Sequence, residues 1–189
     1  IDYRPKVTET MDEIIAYIQE LIDKGAAYQN GDDVYFRVNS DPKYGELSKQ
    51  NIEELAYGNR IEVDDNKENP YDFVLWKKTK EGITWDSPWG KGRPGWHTEC
   101  VVMINKIFGD NIDIHGGGVD LKFPHHENEM AQSKLARNTK LANYWMHNGH
   151  VMVNGVKMSK SLGNFITAHE LLEKYPANVI RLSILKTSY

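Results

Sequence analysis

The 189-residue sequence has a single cysteine, Cys100, which excludes an internal disulfide framework and any metal site made of cysteine alone. No run approaches 18 consecutive apolar residues, so no membrane-spanning helix is expected. Basic residues do not predominate: 23 Lys and Arg against 27 Asp and Glu give a formal charge of −4, and global basicity offers no argument for nucleic-acid binding. Low-complexity tracts and internal repeats are absent, and 15 glycines and 7 prolines are ordinary, which excludes collagen-like and disordered classes. The start, Ile1-Asp2-Tyr3-Arg4-Pro5, carries neither Met nor an apolar leader, and reads as a piece of a longer protein from a reducing compartment. Histidine is missing from the first 96 residues. Six of the seven histidines then fall between residues 97 and 150, the stretch that also holds Cys100.

What is present reads as alternating α and β units. Met11, Ile14, Ile15, Ile18, Leu21 and Ile22 repeat at helical spacing, with Thr10 and Glu13 as an expected capping box and Gly25 as the stop. Asn30-Gly31 marks a hairpin turn. Asn51 with Glu54 is expected to start a short helix that Gly58 ends, and residues 61–70 read as an acidic loop. Residues 72–76 suit a strand. Residues 79–95, rich in Gly and Trp, are expected to form a domain junction. Beyond it, 101–108 reads as a helix, 112–115 as a strand, 124–136 as a helix opening at Pro124, and 144–147 and 150–153 as strands. Asn154-Gly155 reads as a tight turn, and 167–175 as a helix capped by Thr167 and Glu170. Such alternation implies a parallel sheet covered by helices.

Three constellations could carry chemistry. In Pro124-His125-His126-Glu127-Asn128-Glu129, His125 and Glu129 are four apart and share a helix face. With Cys100 they make an acceptable zinc set lacking a fourth partner, although acidic residues also favour a helix N-terminus for structural reasons alone. Gly116-Gly117-Gly118 after a strand lets a ligand approach backbone, and Asp120 could hold a ribose hydroxyl; a plain glycine turn explains the run equally well. Lys157-Met158-Ser159-Lys160-Ser161 places two lysines three apart, which suits a phosphate chain or merely an exposed basic loop.

Lys157–Ser161, K-M-S-K-S, resembles the second signature of class I aminoacyl-tRNA synthetases. Residues 92–100, 113–120, 123–129 and 144–149 resemble cysteinyl-tRNA synthetases, and the likeness extends along essentially the whole chain. The resemblance implies an α/β, Rossmann-like class I catalytic domain, here its second half, with an α+β connective insertion. Residues 1–25 would be the tail of the first Rossmann half, 26–95 the insertion, 96–155 the second half with the zinc site, and 156–189 the signature loop with the start of a helical stem. The family holds zinc with two Cys, one His and one Glu. Cys100, His125 and Glu129 match three of these, His126 and Glu127 being off register. The upstream cysteine, the H-I-G-H signature and the anticodon-binding domain have no counterpart here and are expected outside residues 1–189.

The resemblance further implies ATP binding by Gly116, Gly117, Gly118, Asp120 and Lys157, Met158, Ser159, Lys160 and Ser161. Trp96 and His115 would lie beside the substrate cysteine, and Lys157 and Lys160 would act on the departing pyrophosphate together with Mg²⁺. The expected partners are ATP, L-cysteine and tRNA-Cys, with no membrane, in a monomeric cytoplasmic enzyme. A related ligase joining cysteine to an amino sugar, and a non-catalytic zinc- or tRNA-binding fragment, are the alternative readings.

Overall fold

In a computed structural model, residues 1–50 and 67–187 are described; the helix expected at 51–58 and residues 61–66 of the acidic loop lie outside them. The chain divides into two compact units, Ile1–Met146 and His147–Tyr189.

The first unit begins with helix α1, Met11–Asp23, whose Ile14, Ile18 and Leu21 are fully buried, as their spacing requires. Its C-terminus is closed by Gly25 in a left-handed conformation (φ 73°). Gly25 N donates to Ile22 O and Ala26 N to Leu21 O, satisfying the last carbonyls. The expected capping box at its start does not form. Thr10 Oγ1 donates back to Val7 O at 3.0 Å instead, and Glu13 pairs with Lys106.

Strands β1 (Ala27–Asn30), β2 (Asp33–Phe36), β3 (Phe73–Lys78) and β4 (Gly92–Pro94) form an antiparallel sheet in that order. The first hairpin pairs Asn30 with Asp33, so its two loop residues are Gly31 and Asp32, one place later than the Asn-Gly signal suggests. Residues 79–95 lie within the first unit, and their end supplies edge strand β4. The core joins Ile14, Ile18 and Leu21 to Phe36, Leu75, Trp76, Val101 and Ala131, tying α1, the sheet and two later helices together.

Helix α2, Trp96–Phe108, starts five residues earlier than the sequence pattern suggests. The entry is set by Gly95: its N–H donates to Leu75 O at 2.8 Å, and a Cβ there would stand 1.9 Å from Val74 O. Only glycine allows β3 that close, and this contact fixes where Trp96, His97 and Cys100 emerge.

Strand β5 (Ile112–Gly118), helix α3 (Glu127–Arg137) and strand β6 (Ala142–Asn148) follow. Ile112 N donates to Leu141 O, and a Cβ on Gly116 would lie 3.7 Å from Met146 O, so both contacts advance along the two strands together. The pair is therefore parallel, a β-α-β unit of the Rossmann type. The parallel sheet is confined, among the described residues, to this pair. Regular helix begins at Glu127 and not at Pro124, because Lys122–His126 forms a separate turn with Phe123 extended (φ −140°, ψ 133°).

In the second unit, β7 (Met152–Val153) and β8 (Val156–Lys157) form a hairpin around Asn154 and Gly155, both at positive φ (52° and 77°). Helices α4 (Ala168–Lys174) and α5 (Ala177–Leu185) complete it. Here the capping box is complete: Thr167 Oγ1 accepts from Glu170 N at 3.1 Å and the Glu170 carboxylate accepts from Thr167 N at 2.7 Å.

Candidate metal centre and signature loop

The start of α2, the end of β5, the turn before α3, α3 itself and β6 bring Trp96, Cys100, His115, His125, Glu129 and Trp145 together. Helix α3 is fixed against α2 by Gln132, which is fully buried. Its Oε1 accepts from Thr98 Oγ1 at 2.9 Å, and its Nε2 donates to His97 O at 3.2 Å. On the other side the fully buried Glu127 carboxylate accepts from Ser48 N at 2.7 Å, and Asn128 accepts from Tyr44 Oη. Helix α3, which carries Glu129 and follows directly on His125, is thus held from two directions.

Cys100 Sγ, one nitrogen of His125 and one oxygen of Glu129 lie within 4.8 Å of one another. Cys100 Sγ is 4.0 Å from His125 Nε2, which is 3.0 Å from Glu129 Oε1. Ligands held tetrahedrally at zinc bond lengths stand about 3.3–3.6 Å apart, so these separations straddle that value. The 3.0 Å contact is not an aligned hydrogen bond, since Glu129 Oε1 is buried and accepts none. A buried carboxylate oxygen facing an imidazole nitrogen and a thiol without a bonded proton is the arrangement a shared cation would complete. The donor set fits zinc.

The electrostatics agree. Burial pushes the Cys100 thiol up to about 12, assisted by the neighbouring Glu129 carboxylate. Burial would also raise Glu129, but the hydrogen bond from His115 and the charge of His115 and His125 outweigh it and hold the carboxyl down to about 2. A protonated thiol beside an ionised carboxylate is the ion-free state. A divalent cation would favour the thiolate.

His97, which the sequence pattern did not single out, completes the surroundings. Its Nδ1 is 2.9 Å from His125 Nδ1, and burial together with His125 pushes it down to about 4. A neutral His97 can accept the Nδ1 proton of His125, which leaves His125 Nε2 free to ligate. Trp96 is 61% exposed, and its ring centre lies 4.3 Å from that of His125, forming an open wall over the centre.

Gly117 has a reason of its own: a Cβ there would stand 2.8 Å from His126 Cε1. Gly118 lies beneath the Asp120 carboxylate, whose Oδ1 would be 2.4 Å from an added Cβ; Asp120 is exposed.

Lys157–Ser161 belongs to the second unit. Asn164 organises this loop, accepting from Ser159 N at 2.9 Å and donating to Lys157 O at 3.2 Å. Ser159 and Ser161 hydroxyls are 3.2 Å apart, Met158 N donates to Val151 O, and Lys160 Nζ lies 5.8 Å from the Phe165 ring centre. Lys157 and Lys160 are both exposed.

A family model described as the catalytic domain of class I tRNA synthetases (C) matches residues 1–189. A cysteine–tRNA ligase of Halalkalibacterium halodurans is 57% identical over 189 residues, covering 100% of this chain and 41% of the relative. One from Shouchella clausii is 58% identical over 189 residues, covering 100% and 41%. One from Hahella chejuensis is 58% identical over 188 residues, covering 98% and 40%. The chain spans about two fifths of the length of these curated relatives.

Proposed function

The chain belongs to the class I (C) tRNA synthetase catalytic-domain family, and from that membership we propose that it is part of a cysteine–tRNA ligase. The observation that carries the reading is the convergence of Cys100, His125 and Glu129 on one buried point beside the exposed ring of Trp96. Relatives named as cysteine–tRNA ligases favour this over an amino-sugar ligase. In this reading residues 1–25 end the first Rossmann half, 26–95 form the insertion, 96–155 the second half, and 156–189 the signature loop and stem. The whole protein would be a monomeric cytoplasmic enzyme; among the described residues no helix is long and apolar enough to cross a membrane.

The chemical problem is to separate cysteine from serine, which differs by one atom. A pocket that senses shape alone separates such near-isosteres by only about 10²-fold. Zinc held by Cys100, His125 and Glu129 would supply a soft Lewis acid that prefers sulfur and lowers the thiol's proton affinity. The chain's own residues do the rest. Trp96 and His115 wall the amino-acid pocket, while Gly116, Gly117, Gly118 and Asp120 offer backbone and a carboxylate to the nucleotide. Lys157 and Lys160, carried on a loop braced by Asn164, neutralise the pyrophosphate as the substrate carboxylate attacks the α-phosphorus of Mg²⁺-bound ATP. Transfer to the terminal ribose of tRNA-Cys follows. Positioning and charge carry both steps, so no general base is assigned.

The test is ATP–pyrophosphate exchange by the full-length enzyme with cysteine and with serine. Exchange should require cysteine, and Lys160→Ala should lower its rate about 10²–10³-fold with cysteine KM little changed. Cys100→Ser should lose both zinc and cysteine selectivity. Equal exchange with serine in the unaltered enzyme would overturn the reading.

A further inference from the structure

The two oxygens of Glu129 face different surroundings. Oε2 is 2.7 Å from His115 Nε2 in an aligned hydrogen bond, whereas Oε1, buried, meets His125 Nε2 at 3.0 Å without one. Two donor sets therefore meet at one carboxylate: Cys100, His125 and Glu129 on one hand, His115, His126 and Glu129 on the other. Composition alone would let either hold a cation. Hydrogen bonding separates them, because an aligned hydrogen bond already engages Oε2, whereas Oε1 has only the unaligned approach of His125 Nε2.

The orientation of His115 is itself imposed. Its ring stacks on Trp145, centroids 4.7 Å apart and planes 23° apart, and His126 packs 4.6 Å from His115 and 5.2 Å from Trp145. Trp145 Nε1 is buried with no hydrogen-bond partner among the described residues, and the contacts of Trp145 with His115 and His126 are ring to ring. Trp145 therefore contributes through its face.

We propose that Trp145 and His115 are positioning residues that reserve Glu129 Oε2 for a hydrogen bond, making Glu129 a one-oxygen metal ligand through Oε1. This rests on the metal reading above and deepens it. A carboxylate that binds through both oxygens fills two coordination places. One held to a single oxygen leaves a place for the substrate sulfur. The second donor set, on this account, holds no ion of its own.

Metal affinity of the full-length enzyme, measured by zinc competition with a chromophoric chelator, tests this without reference to activity, and the visible spectrum of the cobalt-substituted protein reports coordination number. The unaltered enzyme should bind one ion per chain. Affinity should fall about 10–100-fold in His115→Ala and Trp145→Ala but stay within about threefold in Trp145→Phe, which keeps the stacked face. The cobalt bands should weaken in both alanine variants, as Glu129 becomes free to chelate. His115→Ala leaves Trp145 in place, so it remains informative if Trp145→Ala folds poorly. Unchanged affinity and spectrum in His115→Ala overturn the proposal, as does a second ion that is lost in His115→Ala and His126→Ala. Absence of metal from the unaltered enzyme overturns the ligand assignment, and this proposal with it.

Discussion

At Gly117 the chain passes so close to His126 that a side chain would meet the ring, with Leu121 Cδ1 only 3.1 Å away as well. At Gly116, one residue earlier, the nearest atom to an added Cβ is Met146 O at an ordinary 3.7 Å. Gly117→Ala should therefore cost about 1–3 kcal/mol through overpacking, while Gly116→Ala should change stability by under about 0.5 kcal/mol. Urea unfolding of the two variants checks this, and equal midpoints would show that His126 yields freely. The comparison also separates a packing reason from a nucleotide-binding one at these two positions, since of the two only Gly117 is crowded from within. The residues divide in a similar way by legibility. His125 and Glu129 were readable because i, i+4 spacing is local and survives even the irregular turn at 122–126. His97 was not, because its role comes from His125, 28 positions away, and Trp145 read only as part of a strand. Their clue was the presence of both within segments resembling the family, which marks a neighbourhood without naming a job.

Two Thr-x-x-Glu motifs precede helices, and only one caps. Thr167 is extended (φ −77°, ψ 153°) and exchanges both capping bonds with Glu170. Thr10 follows the short turn Val7–Glu9, whose carbonyls lie within reach of its hydroxyl, and it sits at φ −130°, ψ 20°, with Glu13 drawn away to Lys106. The motif states what bonds are available; the preceding backbone and a residue from another helix decide which are made. Thr167→Ala should raise the opening of α4 about fivefold, near 1 kcal/mol, seen as faster exchange of the Glu170 amide. Thr10→Ala should leave the Glu13 amide unaffected. If both amides respond alike, the distinction is wrong. The same limit explains the sheets: alternation gave the β-α-β unit of β5, α3 and β6. The hairpin of β1 and β2 was also local, but the place of β3 and β4 beside them brings together residues far apart in the chain, as in the approach of Gly95 to Val74, which no local pattern encodes.

At the scale of the molecule, burial is distributed unevenly between the two units. Among the described residues every buried one lies in Ile1–Met146, where α1, α2 and α3 share a core with the antiparallel sheet; from 147 to 187 none is buried. Helical stability in proteins comes chiefly from packing, and isolated helices shorter than about 12–15 residues are marginal in water. Helix α5 has nine residues, and Leu182, Ile184 and Leu185 are exposed. In the 189-residue chain its amides should therefore exchange within about tenfold of the unstructured rate. Amides of α1 at Ile18 and Leu21, by contrast, should open only with the whole first unit, slowed by about 10³-fold or more. Native-state hydrogen exchange resolves the two directly. The Lys157–Ser161 loop belongs to the weakly buried unit, while Cys100, His125 and Glu129 belong to the well-packed one. That division matches their proposed tasks: a metal centre loses affinity when its ligands wander, whereas a phosphate-binding loop must open to release pyrophosphate. Protection of α5 equal to that of α1 would remove this physical basis for a mobile signature loop.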